Sequence, residues 1–396
     1  MDRSELVELL SPEGLRLLDS IGEWDAKADV VKTVAALRKQ GHAPGLVAAV
    51  LSQAKLRARA RTKFGPFASR MLFTEPGLEQ ATRLNVAALH AGRFARAGIA
   101  HVADLGCGIG GDALALAAIE LEVTAADADE VTAAVAAYNL TPFPQARVLH
   151  SRAEDVALGG IGGAWLDPAR RVTAGGSTRR LADASDYSPP LDFAFGLADR
   201  LPVGVKLGPG TDRGVVPAGA EAQWVSVDGD VVELAVWLGA LARPGVGRAA
   251  LVIRGGTAHE LTAPADSPDE AVGELGGYVY EPDGSVIRAR LIGDLARSLD
   301  ARMLSDGIAY LTGDRLVETP FARAFRVVDR LPADERQLRR ELASRDVGTL
   351  EIKKRGVDVD PAALRTRLKL SGAASATIIL TREAGRHVAL LVERAD

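Results

Sequence analysis

Residues 101–129, HVADLGCGIGGDALALAAIELEVTAADAD, constrain this chain more than any other stretch. The apolar run at 102–105 predicts a buried strand. Gly106, Gly108, Gly110 and Gly111 predict a turn, 112–120 a helix, and 123–126 a second strand ending in Asp127. This is the opening half of a nucleotide-binding βαβ unit, with an acidic residue roughly 20 positions past the glycines, at the place of a ribose. Glycines there let the backbone approach a ligand and adopt conformations that side chains forbid. Gly106, Gly108 and Gly111 also satisfy the G-x-G-x-x-G spacing of dinucleotide sites. Asp104 separates the ligand classes: a carboxylate two residues before the first glycine repels a pyrophosphate and attracts an ammonium. A glycine turn that holds no ligand is the remaining reading.

The same alternation continues downstream. A helix is expected at 130–138 and strands at 147–150, 163–166, 203–207, 223–227 and 249–253, with a helical pattern at 231–241. The fold class is therefore α/β, a seven-stranded doubly wound (Rossmann-like) domain over 71–255. Residues 1–70 read as helices, one opened by Ser11-Pro12 and another by Pro44 that runs into the basic stretch 55–63. Glycine and proline thicken after 255, so 256–320 is expected as a connecting segment, with two short strands around Pro282-Asp283-Gly284 and a helix at 292–303. Residues 321–396 read β (325–328), α (334–344), β (350–354), α (361–369), β (376–381), β (387–393), a small α+β domain closing on a hairpin.

No apolar run of about 18 residues and no charged-then-apolar leader occurs, so neither membrane insertion nor secretion is expected. The single cysteine, Cys107, suits a cytoplasmic location. The six histidines are scattered without metal-ligand spacing, and no metal is expected. Charge is uneven: residues 1–70 carry 12 basic against 8 acidic side chains, 321–396 carry 16 against 11, and 71–320 carry 20 against 33. Basic ends around an acidic body suit a nucleic-acid modifier, with RNA the expected partner.

The fourth strand ends in Asp167-Pro168-Ala169-Arg170-Arg171, at the carboxyl end where α/β enzymes place their chemistry. The polar stretch 173–190 reads as a substrate lid, and Tyr187 is its nearest aromatic. Lys206 is unusual in a buried parallel strand, so it either reaches the sheet edge or points into the cleft.

Asp104-Leu105-Gly106-Cys107-Gly108-Ile109-Gly110 resembles the first motif of class I S-adenosylmethionine (SAM) methyltransferases, an acidic residue followed by G-x-G-x-G. The Asp167 segment resembles, in part, the D/N-P-P-aromatic motif of amino-group methyltransferases, with Ala169 and Arg170 replacing the second proline and the aromatic. The chain's end, with residues 352–356 and Asp360-Pro361, resembles the THUMP-like domain behind bacterial methyltransferases related to trimethylguanosine synthase. These resemblances imply a SAM-dependent methyltransferase acting on RNA, with a base nitrogen as the target. Asp104 would hold the methionine end, Gly106, Gly108 and Gly110 the close approach, Asp127 the ribose, and Glu154 the adenine. Asp167 and Pro168 would hold the incoming amine, Arg170 or Tyr187 would stack on the base, and Lys353, Lys354 and Arg355 would contact RNA. The alternatives are a catalytically silent RNA binder that keeps the fold, and a small-molecule methyltransferase.

Overall fold

The computed structural model describes residues 1–22, 24, 30–170 and 187–395, with the side chain of Arg170 outside the description. It divides into two compact units, the first being Met1–Leu207, Thr211–Ala220 and Val236–Ala242. This unit begins with helices α1 (Arg3–Leu9), α2 (Pro12–Ile21), α3 (Val30–Lys39) and α4 (Pro44–Phe64). Asp2 and Glu5 form a reciprocal capping box, the Ser11 hydroxyl accepts from the Gly14 N–H, and Pro44 opens α4. Leu6, Leu9, Leu17, Leu18, Val47 and Val50 are buried on the inner faces of these helices.

Helices α5 (Glu75–Gln80) and α6 (Leu84–Arg96) lead into β1 (His101–Leu105), α7 (Gly111–Ala118), β2 (Glu122–Asp127), α8 (Glu130–Leu140), β3 (Ala146–His150) and β4 (Gly163–Leu166). The short strands β5 (Ala169–Arg170) and β6 (Tyr187–Ser188) pair antiparallel, and α9 (Leu191–Gly196) precedes β7 (Val203–Leu207). Parallel pairing places β2 and then β3 on one side of β1, and β4 and then β7 on the other. The last four residues of β1 and all of β4 are buried, as strands covered on both faces must be. Chain order reverses between β1 and β4, and the carboxyl ends of these two strands open the crevice where such sheets bind ligands.

The second unit comprises Gly208–Gly210, Glu221–Ala235 and Arg243–Asp396. Here β8 (Glu221–Val227) turns through Asp228 and Gly229, φ 51° and 97°, into β9 (Asp230–Leu238). The helix expected at 231–241 is therefore a strand. Two successive left-handed residues make the hairpin turn that Asp-Gly favours, and this local geometry overrides the apolar spacing. β10 (Arg248–Arg254) runs parallel to β8, and β11 (Thr257–Ala263) returns antiparallel to β10 across Gly255 and Gly256, φ 53° and 82°. The seven strands expected are all present, and β9 and β11 are additional to them. Of the glycines that suggested a linker, Gly255 and Gly256 are the turn of a hairpin.

Residues 278–287 also differ from expectation. β12 (Tyr278–Pro282) is followed by a helix, because the Asp283 carboxylate accepts from the Ser285 N–H at 2.9 Å and caps α10 (Gly284–Arg288). Next come α11 (Ile292–Ser298), β13 (Arg302–Ser305), β14 (Ile308–Gly313), β15 (Ala322–Leu331), α12 (Glu335–Ser344), β16 (Val347–Lys354), α13 (Pro361–Leu368), β17 (Ala374–Glu383) and β18 (Arg386–Arg394). They build a seven-stranded sheet in the order β13-β14-β12-β15-β18-β17-β16. The span 256–320 thus contributes three strands to the sheet that residues 322–394 complete. The terminal hairpin is as expected, with Glu383 opposite Arg386. Leu338 and Leu342 of α12 and Leu364 and Leu368 of α13 bury against Leu350 and Ile378. The neighbouring Ile379 joins Phe325 and Leu390 in a second core, as alternation along a strand requires. Among the described residues no helix is long and apolar enough to cross a membrane.

Candidate active site

The turn after β1 is closed onto the end of β2. Gly106 and Cys107 both donate to the Ala126 carbonyl (2.9 and 3.0 Å), and the Gly108 N–H donates to Asp127 Oδ2 at 3.0 Å. Gly106, Gly108 and Gly110 have φ of 85°, 55° and 84°, so the three glycines expected to give close backbone approach all take the left-handed conformation. Asp127 Oδ1 accepts from the Asp129 N–H at 2.9 Å, and lone pairs remain on both oxygens for ligand hydroxyls. Burial raises its carboxyl above the usual range against the pull of these hydrogen bonds.

Asp104 lies one residue before the end of β1. It is 1% exposed, and neither carboxylate oxygen has a hydrogen-bond partner. Burial pushes its carboxyl well above the usual carboxylate range; Asp112 and Asp167 add to the rise, while Lys206 and the Ala113 amide, which falls short of hydrogen-bond geometry, oppose it. A buried acceptor without a donor costs about 1–3 kcal/mol. A proton or an ammonium group is what this carboxylate lacks, and a pyrophosphate would meet it as a like charge. The donor demand therefore fits the methionine end of SAM.

Asp167 directly follows β4, beside the glycine turn: a Cβ built on Gly106 would lie 3.4 Å from the Asp167 carbonyl oxygen. The Lys206 ammonium, from β7, donates to Asp167 Oδ2 at 2.6 Å, to Thr82 Oγ1 at 3.1 Å and to the Gln80 carbonyl at 3.2 Å. Lys206 thus points to Asp167 and to residues 80 and 82. The Thr82 hydroxyl donates in turn to Asp112 Oδ2 (2.8 Å), whose other oxygen meets His90 Nδ1 at 2.9 Å. Burial alone would raise the Asp112 carboxyl, but the His90 hydrogen bond and charge, with Lys206 and Thr82, hold it below the usual range. The His90 ring lies on Trp165 (centroids 4.2 Å apart), and Trp165 lies on Trp237 at 5.3 Å.

The segment between α5 and α6 is gripped from a second side. Lys63 donates to the carbonyls of Leu78 (2.8 Å), Glu79 (2.7 Å) and Ala81 (2.8 Å), and burial, then the charges of Lys206 and Arg83, lower its pKa to about 8. Upstream, the Asn139 amide accepts from the Leu72 N–H (2.7 Å) and donates to the carbonyls of Leu72 (3.0 Å) and Ile109 (2.9 Å). The basic stretch 55–63 is accordingly tied into this unit: Arg57 donates to the Met71 carbonyl at 2.9 Å, and Arg59 pairs with Glu75.

Other expected site residues are placed as follows. Pro168 is buried beside Asp167. Arg170 lies on β5, while the lid residues 173–186 and Arg171 lie outside the described residues. Tyr187, expected to stack on a base, is 2% exposed, on the strand β6 that pairs with β5. Glu154 stands in a short turn after β3, bonded to Arg152 at 3.0 Å. In the second unit only Lys354 of the expected RNA trio is exposed. Lys353 donates to Glu281 at 2.8 Å and sits over the Phe325 ring, and Arg355 lies over Tyr310 with its Nε buried. That correction follows from their strand, which is covered on the face these two side chains occupy. Sequence reasoning missed Asp112, His90 and Asn139. The oddity of a lysine in β7, and the polar Gln80 and Thr82 ahead of the sheet, were the available signals for the cluster.

Comparison with known proteins gives a consistent result. Residues 322–394 match the family model described as THUMP domain-like, and residues 2–60 match a domain of unknown function, DUF8688. Uncharacterized S-adenosylmethionine-dependent methyltransferases from two strains of Mycobacterium tuberculosis, CDC 1551 and H37Rv, are each 35% identical over 354 residues, 86% of this chain and 93% of the relative. The crystal structure of a "putative methyltransferase" from Porphyromonas gingivalis W83 superposes with a TM-score of 0.77 at 21% identity, covering 100% of both chains.

Proposed function

Because the chain belongs to the S-adenosylmethionine-dependent methyltransferases, we propose that it methylates an exocyclic nitrogen of an RNA base. The observation that carries this reading is Asp167, an ionisable acceptor held at the end of β4 against the cofactor turn. The THUMP domain-like end, with residues 352–356 and Asp360-Pro361, further supports a place in the group related to trimethylguanosine synthase.

SAM, when bound, supplies an activated methyl group whose bond to sulfur breaks as the bond to nitrogen forms, the electron pair staying on sulfur. Asp104 would meet the methionyl ammonium, Gly106, Gly108 and Gly110 would admit the ligand to the backbone, Asp127 would accept from the ribose hydroxyls, and Glu154 would stand near the adenine. Asp167 would accept a hydrogen bond from the target amine, aim its lone pair, and take the proton released on methylation, passing it to water at its exposed edge. Pro168 fixes the chain direction there. The THUMP domain-like match supports RNA as substrate. On that domain Arg336, Arg339 and Arg340 are exposed along α12, opposite Leu338 and Leu342, and with Lys354 they offer phosphate contacts. Arg170 remains the candidate to stack on the base.

The test is incubation with methyl-labelled SAM and total bacterial RNA, followed by nucleoside mass spectrometry. A labelled N-methyl nucleoside that disappears with Asp167→Ala and partly persists with Asp167→Asn supports the reading. Label in no RNA fraction, with transfer to a small molecule instead, refutes it.

A further inference from the structure

A lysine inside a parallel strand needs a reason. The other residues of β7 are fully buried, and the Lys206 side chain is only 12% exposed. Ordering and desolvating an ammonium there is costly unless its protons are taken up. All three are: one by Asp167, one by Thr82 and one by the Gln80 carbonyl. The last two acceptors belong to the segment 78–82, whose carbonyls at Leu78, Glu79 and Ala81 are held by Lys63. This segment packs on the glycine turn, since a Cβ on Gly111 would lie 3.8 Å from the Thr82 carbonyl and one on Gly77 would strike Ile109 at 2.5 Å. Lys206 therefore joins Asp167 to the covering segment.

We infer that Lys206 is a positioning residue for methyl transfer: by donating to Asp167 and to residues 80–82 together, it fixes the direction of the carboxylate relative to the cofactor turn. The inference rests on the reading of Asp167 given above. Lys206 forms and breaks no bond in the reaction. Its hydrogen bond to Oδ2 restrains the rotation of the Asp167 carboxylate, so that the group keeps one direction toward the amine. A purely structural ion pair would look the same in a static picture but behave differently in an assay, because its loss would lower stability and SAM affinity along with the rate.

The experiment uses the full-length chain with Lys206→Met, Lys206→Ala, Asp167→Ala and the Asp167→Ala/Lys206→Met double variant. Binding of S-adenosylhomocysteine is measured by calorimetry, and initial rates by label transfer from SAM to total bacterial RNA. Lys206→Met is expected to lower kcat about 30-fold or more, with KM for SAM and the S-adenosylhomocysteine affinity within about threefold. Ethylamine should restore part of the rate of Lys206→Ala. In the double variant Lys206→Met should cost nothing beyond Asp167→Ala, because it acts only through that residue. A rate equal to the parent's, a multiplicative loss in the double variant, or a parallel collapse of cofactor affinity without amine rescue overturns the inference. If the parent transfers no methyl to RNA, the substrate reading falls by itself. Lys206 is then judged by hydrogen exchange of residues 78–84: faster exchange in Lys206→Met upholds the clamp, and unchanged exchange removes it.

Discussion

Replacing Asp104 by leucine, which has nearly the same shape, should strengthen the empty protein and weaken cofactor binding. In the structure both carboxylate oxygens are buried without donors, so exchanging them for methyl groups removes an unmet demand. Unsatisfied buried groups cost about 1–3 kcal/mol, so a gain of that order is expected in the absence of ligand. For a unit of this size each kcal/mol corresponds to roughly 2–4 °C in Tm. SAM would lose a charge-assisted hydrogen bond of about 1.5–3 kcal/mol, or about tenfold to a hundredfold in affinity. The pH dependence is a second signature. The Asp104 carboxyl is raised in the fold, so above the ordinary carboxylate pKa the unfolded chain releases its proton first and the parent loses stability as pH rises towards the folded value. Asp104→Leu should lack that loss. Differential scanning fluorimetry across pH, with and without SAM, together with calorimetry, measures all three effects. A variant that melts lower without ligand yet binds SAM as the parent does would refute the assignment of Asp104 and its energetics together.

Gly110→Ala, at φ 84° and with Ala136 at 3.5 Å from the new Cβ, should destabilise by about 1–2 kcal/mol and weaken S-adenosylhomocysteine binding, whereas Gly196→Ala, with open space around it, serves as a neutral control in the same melts. Lys63 has its pKa lowered to about 8, so its fold contribution improves as pH rises from about 8 towards the unfolded lysine value; the stability of the parent relative to Lys63→Met should climb across that window in chemical denaturation. Alanine at Arg336, Arg339 and Arg340 together should weaken RNA binding and reduce its log–log salt slope by roughly 0.7–0.9 for each phosphate these arginines neutralise, as filter binding at several salt concentrations would show. Lys353→Ala, by contrast, breaks the bond to Glu281 and should lower the melting temperature without changing that slope.

Much of the site was legible because its parts are local. The glycines, Asp104 and Asp127 sit within one βαβ unit, where spacing alone dictates a strand, a turn and a helix start. Asp167 was legible for a similar reason, as a polar residue directly after a four-residue apolar run. What could not be read is the company these residues keep. Lys206 meets Asp167 across 39 positions and Thr82 across 124, and no periodicity encodes such a meeting. Lys353 and Arg355 misled because a run of like charge looks solvated in sequence, whereas an extended chain sends alternate side chains to opposite faces and leaves only Lys354 exposed. Segment 231–241 misled because an apolar stretch of that length suits a buried strand as well as a helix, and its two-residue turn carried the deciding information.

Gly204 has no chemistry to offer, yet it sets a dimension of the candidate site. A methyl group there would strike the rings of Trp165 at 2.6 Å and Trp237 at 2.7 Å. Trp165 stands two residues ahead of Asp167 and carries His90 on its face. The indole pair thus works as a spacer with no slack, and the bare backbone of β7 is the wall it rests on. Any side chain at Gly204 would be felt as a shift in the height of the β4 end. A screen that scored only activity would then report a catalytic defect at a position that touches neither cofactor nor substrate.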